Sequence, residues 1–434
     1  MANRKKRYAQ VGLGGRSWMY TRAIAEQYGD SCQLVGLCDV NRGRMDLCNR
    51  RIAQAVRAPI PCYRAEQFDR MIAETRPDIV IVTSGPDVTH SGYIVRAMEL
   101  GCDVVTEKPM TTDAGSCRKI LETVAATGRH CRVTFNYRYA PPRSQVKNLL
   151  ASGLIGEILS VDFCWMLDTR HGADYFRRWH RRRHNSGSLL VHKATHHFDL
   201  VNWWIDDRPE EVFAWGTHRF YTPQMAEELG LAGRGERCLD CPVRDRCEFF
   251  LDLAGNEALK AMYLDNEQED GYFRDRCVFA DEIDIWDNMS LSVRYRGGAL
   301  LSYLLHAFCP YEGYKIAFNG RRGRLEHSCC ENTYISGDGS VPGELVKNNV
   351  TITLIPAFRE PRSLEVDMGA GGHGGGDAPL VVDLFDPHAP PDPLGRKADQ
   401  RDGAYSILIG IAAGHSIDTG RAVKVADLLG HAPI

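Results

Sequence analysis

The sequence predicts an α/β protein of two domains, a parallel sheet with crossover helices over residues 1–135 and an α+β domain with a large, mainly antiparallel open sheet over 136–434. Three observations predict it. Short apolar runs alternate with helical patterns from 7 to 135, a glycine turn follows the first run, and past 136 the pattern changes to alternating strands. At 434 residues and 44% hydrophobic content the chain can bury two cores, because a single core stops growing at roughly 250–300 residues.

Strands read at 7–12, 33–38, 78–83, 102–106 and 131–135, with helical stretches near 17–28, 41–56, 65–75, 88–100 and 112–127. Beyond the boundary come a helix near 142–152, alternating strands such as 158–166 and 289–304, and a helix near 193–205. Residues 206–280 lack clean periodicity and are rich in charge and cysteine, which reads as an insertion. Residues 369–377 form a glycine-rich loop and 386–396 a proline-rich irregular stretch, and a helix at 403–416 closes the core.

A net charge of -3, from 53 basic and 56 acidic residues, gives no bulk reason to bind nucleic acid or an anionic membrane. No apolar run has the length of a signal peptide or a membrane span, so a cytoplasmic protein with a small-molecule partner is expected. Most of the 15 cysteines sit singly in apolar elements, where the reduced thiol behaves as a small hydrophobe.

Gly12-Leu13-Gly14-Gly15-Arg16-Ser17 follows a strand and opens a helix, an arrangement that aims backbone N–H groups at a pyrophosphate, with Ser17 where a third glycine is usual. Asp39 ends the next strand, where a carboxylate accepts from the adenosine ribose hydroxyls. This is the pattern of a Rossmann dinucleotide-binding domain. The carboxylate favours NAD over NADP, although Arg16 or Arg42 could neutralise a 2′-phosphate.

With these residues, Thr83-Ser84-Gly85-Pro86-Asp87 with His90, Glu107-Lys108-Pro109, Phe135-Asn136-Tyr137-Arg138-Tyr139 and Leu189 to Asp199, the chain resembles the Gfo/Idh/MocA family along nearly its whole length. The resemblance implies cofactor contacts from Gly12, Gly14, Gly15, Arg16, Ser17, Asp39, Thr83, Ser84, His90, Glu107, Lys108 and Asn136. Lys108 falls at the C-terminal end of a parallel strand, where ligands of open sheets bind, and burial beside an oxidised nicotinamide would lower its pKa. It is the expected acceptor of a substrate hydroxyl proton.

A second family motif brings an Asp and, four residues later, a His to the substrate. Aligned on His196, the Asp position holds His192. One helical turn apart, both imidazoles can reach one pocket; a metal reading is disfavoured because no Glu follows His192 in the HExxH pattern. Arg138, Arg177, Arg178 and Trp179 are candidate substrate contacts, since sugars stack on aromatic rings and bond guanidinium groups. His373, in Gly372-His373-Gly374, lies either in a flexible linker or in a loop that reaches the ligand; a similar segment occurs in family members that cleave glycosides with recycled NAD.

Cys238, Cys241 and Cys247, with Cys277 further on, have the spacing of a thiolate clamp. Structural zinc, an iron–sulfur cluster and free cysteines are the alternatives.

The leading expectation is an NAD-dependent oxidoreductase acting on a sugar, sugar derivative or cyclitol, assembled as a homodimer or homotetramer through the open sheet. The alternatives are a glycosidase that recycles NAD through oxidation, elimination and re-reduction, and a cofactor-binding regulator without turnover.

Overall fold

The computed structural model describes residues 4–331, 345–369 and 372–433. Six parallel strands, β1 (Lys6–Val11), β2 (Cys32–Asp39), β3 (Cys62–Arg64), β4 (Ile79–Val82), β5 (Asp103–Thr106) and β6 (Cys131–Val133), form the first sheet in the order β3-β2-β1-β4-β5-β6. The order reverses between β1 and β4, which opens a crevice at the strands' C-terminal ends. Helices cover both faces, so β4 is Ile-Val-Ile-Val and buried at every position. β3, three residues long, escaped the periodicity reading because so short a run carries no period.

Local chemistry sets the helix boundaries. The Asn41 side chain accepts from Arg44 N–H to cap Arg42–Ile52, and Asp113 does the same for Ala114–Thr127, which ends at left-handed Gly128. After the glycine turn the chain runs through a 3₁₀ turn (Gly15–Ser17), a short α-helix (Trp18–Arg22) and a π turn (Ala23–Gln27).

The second sheet contains β7 (Ile158–Asp168), β8 (Pro209–Thr217), β9 (Asn288–Tyr295), β10 (Leu300–Cys309), β11 (Gly313–Gly320), β12 (Gly323–Glu331), β13 (Leu345–Pro356), β14 (Arg362–Leu364) and β15 (Val423–Lys424). Their order is β14-β13-β12-β11-β7-β10-β9-β8-β15, antiparallel except for the central pair β7 and β10. Strand alternation gives it two faces. Leu301, Tyr303 and Leu305 point into the core beneath helices Thr195–Ile205 and Gln400–Thr419, whereas Trp215, Leu300 and Leu304 are exposed on the other side.

Several expectations change in detail. The stretch 289–304 is not one strand but β9 and the start of β10, and the insertion begins after β8 rather than at 206. Part of the glycine-rich segment is helical, at Gly372–Gly375, and a further helix spans Asp377–Phe385. No helix of the described residues is long and apolar enough to cross a membrane.

The C-terminal segment returns to the first sheet. Val133 N–H donates to Ala398 O at 3.1 Å, and Arg132 forms an antiparallel bridge with Asp399. Helix Asp377–Phe385 buries Val381 and Phe385 among Tyr8, Leu34 and Ile79, with the Phe385 ring edge-on to Tyr8 at 5.4 Å.

Candidate functional site

A cavity of about 1350 Å³ lies at the C-terminal ends of β1, β2, β4 and β5 and extends to His192, His196 and residues 263–274 of the insertion. The glycine turn forms its floor. Gly12 has φ +81°, and a Cβ there would fall 2.3 Å from Ser84 Cα, so both conformation and space demand glycine. Ser17 Oγ closes the turn by donating to Gly14 O at 2.6 Å, a role that explains serine at the third position.

Asp39 holds this loop. Its carboxylate accepts from Leu13 N–H at 2.5 Å and Asn41 N–H at 2.8 Å, with the Arg44 guanidinium at 3.5 Å. Burial pushes its pKa up, against the pull of Arg44 and the two amides.

On the opposite wall, Arg16 donates to Glu107 at 2.7 Å and to both oxygens of Asp377 at 3.1 and 2.9 Å. Asn136 donates to Asp377 at 2.8 Å, and Tyr20 to Glu107 at 2.7 Å. Arg16 is thereby committed to two carboxylates, and Arg42 pairs with Asp46 on its own helix. The arginine that meets Asp39 is Arg44, which the motif reading passed over. Thr83 donates to Gly12 O, the Ser84 and Thr89 hydroxyls meet at 2.7 Å, and both His90 nitrogens lie 2.8 Å from main-chain carbonyls, those of Pro109 and Ser84. His90 thus braces the Glu-Lys-Pro turn against the loop after β4.

At the centre, Lys108 Nζ lies 3.2 Å from His192 O and 3.5 Å from His192 Nε2, and His192 Nδ1 lies 2.5 Å from Asp87 Oδ2. Desolvation lowers the Lys108 pKa to about 8 against the opposing charges of Asp87 and Glu107. Burial likewise drives the His192 pKa well below its ordinary value, helped by Lys108 and His180. With the Asp87 carboxyl ionised, a neutral imidazole donates to it from Nδ1, which leaves the Nε2 lone pair facing the lysine amine.

Around this group, His180 meets His192 edge-on at 4.1 Å and stacks on Trp179 at 3.6 Å. Trp179 lies over Gly85, where a Cβ would come 3.2 Å from its indole nitrogen. His196 stacks on Tyr137 at 4.1 Å. Tyr137 accepts from Lys193 at 3.2 Å, while Glu312 lies 3.1 Å from His171.

Two expected substrate contacts fall elsewhere. Arg138 is buried in a two-point pair with Asp199 at 2.8 and 2.6 Å, behind the cavity wall. Arg177 turns away and donates to Phe249 O at 2.5 Å, because helix Thr169–Arg177 ends there and successive side chains diverge. Its neighbour Arg178 takes the cavity side, 3.4 Å from both Asp174 and Tyr272. His373 falls in helix Gly372–Gly375, and its side chain lies outside the described residues. Asp87 had a legible signal in the Thr-Ser-Gly-Pro-Asp run. Glu312, Lys193 and His180 had none, since only the fold gathers them.

Cys238, Cys241, Cys247 and Cys277 line one small cavity with Arg177. Gly235 N–H points at Cys241 Sγ (3.3 Å) and Leu251 N–H at Cys238 Sγ (3.5 Å). All four are free thiols, and the described residues contain no group of three or more His, Cys, Asp or Glu arranged to hold a metal ion.

A reversed parallel sheet, a glycine turn beneath a carboxylate and a desolvated lysine define a dinucleotide-dependent oxidoreductase. Two family models match the chain, the oxidoreductase family NAD-binding Rossmann fold over 6–135 and its C-terminal alpha/beta domain over 147–350. The chain belongs to the Gfo/Idh/MocA oxidoreductase family, and it is an NAD(P)-dependent enzyme acting on a CH–OH group. It is 37% identical over 429 residues to YteT of Bacillus subtilis (strain 168), covering 96% of this chain and 97% of that one. It is 32% identical over 257 residues to an inositol 2-dehydrogenase of Gluconacetobacter diazotrophicus, covering 56% and 68%. Among solved structures, the WlbA dehydrogenase from Bordetella pertussis in complex with NADH and UDP-GlcNAcA shares the fold, with a TM-score of 0.62, 18% identity and coverage of 97% and 99%.

Proposed function

We propose that the enzyme oxidises a secondary hydroxyl of a sugar, sugar derivative or cyclitol. The observation that carries the reading is the aligned group Asp87–His192–Lys108 at the wall of the cavity. NAD, when bound over the glycine turn, takes up the hydride. Lys108, with its pKa lowered to about 8, accepts the hydroxyl proton as a neutral amine, and the His192 ring and main-chain carbonyl hold Nζ in place. Asp87 fixes the imidazole tautomer, and His196, stacked on Tyr137, borders the substrate end. Trp179 and Arg178 supply the stacking face and the guanidinium that suit a polyol. The carboxylate at Asp39, with Arg16 committed elsewhere, supports NAD over NADP.

The test is NADH formation with a panel of sugars, sugar acids and cyclitols. Product accompanied by stoichiometric NADH supports the reading. The imidazoles of His171, His180 and His192 in one cavity favour a second reading, glycoside cleavage with recycled NAD; release of an aglycone with no net NADH would replace the first with the second. A regulator without turnover has no use for a desolvated lysine facing an oriented imidazole.

Three further elements belong to the proposal. One structural zinc on the four cysteines is supported by their spacing, their shared cavity and the N–H groups aimed at sulfur, and requires their side chains to draw closer than they stand here. Elemental analysis of protein purified without added metal decides it, with iron or no metal against. The exposed apolar side chains Trp215, Leu300 and Leu304 support pairing of two copies through the open sheet. The free thiols suit a reducing, cytoplasmic setting.

A further inference from the structure

Residues 263–274 of the insertion cross the groove and meet the first sheet beside Asp39. Asn41 Nδ2 donates to Asn266 O at 2.8 Å, Arg44 pairs with Asp270, and Arg64 pairs with Glu269 at 2.8 Å. The approach is close enough that a Cβ on Gly43 would fall 1.7 Å from Asn266 Oδ1. Further along, the Tyr263 hydroxyl stands 3.7 Å from where a Cβ of Gly15 would be, over the turn whose N–H groups receive the pyrophosphate. The Arg44 and Arg274 guanidinium groups flank the Tyr263 ring at 6.0 and 5.8 Å.

The far end of this segment is fastened to the cysteine loop. Cys238 N–H donates to Asp275 O and Cys277 N–H to Glu236 O, each at 2.8 Å, and Leu239 N–H donates to Asp275 Oδ2 at 2.9 Å. Arg237 pairs with Glu267 at 2.9 Å and Asp275 at 2.8 Å. The loop that carries the thiols is therefore continuous, through a few main-chain bonds, with the side chains facing the groove.

We propose that the insertion is the outer wall of the dinucleotide site: Tyr263 engages the diphosphate from the side opposite the glycine turn, with Arg274, buried and paired with Asp174 at 2.6 Å, backing its ring, Asp270 helps select the ribose, and the cysteine loop anchors the wall. The inference rests on the NAD-binding reading. The turn offers donors from one side only, and a diphosphate presents oxygens to both; a phenol hydroxyl on the open side adds a donor to its shell. At the ribose corner Asp39 and Asp270 share Arg44, so two carboxylates face one cation and a 2′-phosphate meets net negative charge.

The experiment uses the full-length protein and ADP-ribose, which carries the diphosphate and both riboses but no nicotinamide. Calorimetry gives its dissociation constant, and displacement of fluorescent NADH gives a dissociation rate. Tyr263→Phe, which removes only a hydroxyl, is expected to weaken ADP-ribose by about tenfold, the effect of losing one hydrogen bond to a charged group. Asp270→Asn is expected to shift the NAD to NADP affinity ratio toward NADP, a readout that loss of packing alone would not move. Cys241→Ser is expected to speed NADH release. If the unaltered protein binds no ADP-ribose, the NAD reading itself fails. If it binds and both Tyr263→Phe and Asp270→Asn match it in affinity and ratio, the wall is a mere cover and the inference is overturned.

Discussion

Asp87 and His192 lie 105 positions apart in the chain, yet Asp87 Oδ2 sits 2.5 Å from His192 Nδ1. The carboxylate comes from the loop after β4 and the imidazole from the short helix Leu189–His192, so the pair forms only when the two domains dock. Asp87 has 3% of its surface exposed, and its carboxyl pKa is pushed well up by that burial.

Asp87→Asn should be damaging for a specific reason. An amide can donate to Nδ1, which selects the tautomer with a proton on Nε2 and removes the acceptor that faces Lys108. Oxidation at saturating substrate is expected to fall by about 10²–10⁴-fold, with NAD affinity within a few-fold. Turnover at the original rate would show that the His192 tautomer has no part in positioning Lys108.

Lys108 sets a pH dependence whose sign follows from which form reacts. The amine must be neutral to accept a proton, so kcat/KM for oxidation should rise with pH through about 8 and level off above it. Reduction of the ketone product should show the opposite limb. In Lys108→Met both limbs should vanish with the activity. Asp87 raises the lysine pKa, so any residual activity of Asp87→Asn should show its limb at lower pH.

Arg138 is buried against Asp199 and is expected to act on stability. It satisfies Asp199, whose pKa is pushed up to about 7 by burial, and the pair has almost no exposed surface. Arg138→Met leaves a buried carboxylate unpaired, a change that costs about 3–5 kcal/mol. An acid whose folded pKa lies above its unfolded value loses stability as pH rises toward the folded value, and removing its cation raises that value further. Denaturant unfolding should show a larger loss at pH 8 than at pH 5, with an equal loss at both counting against the pairing.

Asp39→Ala removes the acceptor for Leu13 and Asn41 N–H as well as the charge beside Arg44. NAD affinity should fall, and the NAD to NADP ratio should move toward NADP with Arg44 exposed to a 2′-phosphate. An unchanged ratio would assign cofactor choice to other residues.

The first sheet was legible because its central strands are largely buried and rich in apolar residues, Ile79–Val82 throughout, and because Gly12 and Asp39 occupy positions that few other residues tolerate. Pairing of β7 with β10 was not legible, since the two strands are separated by the whole insertion. In the site, Lys108 and His192 stood out by motif and by departure from it. Arg177 and Arg178 show the limit of such reading: adjacent identical residues diverge into opposite environments, and only the end of their helix decides which faces the large cavity. The cysteines were visible as a cluster, but their spacing says nothing of the wall they fasten.

The bond from Val133 to Ala398 and the burial of Phe385 against Tyr8 bear on the order of events at the ribosome. Domains tend to fold as their residues emerge. Here the first sheet, whose last strand ends at Val133, keeps an uncovered edge and an unfilled apolar face until some 250 further residues have been translated. A nascent chain arrested at residue 140 should therefore bind dinucleotide poorly and engage chaperones, and cofactor should become trapped only late in synthesis, when the C-terminal helices arrive.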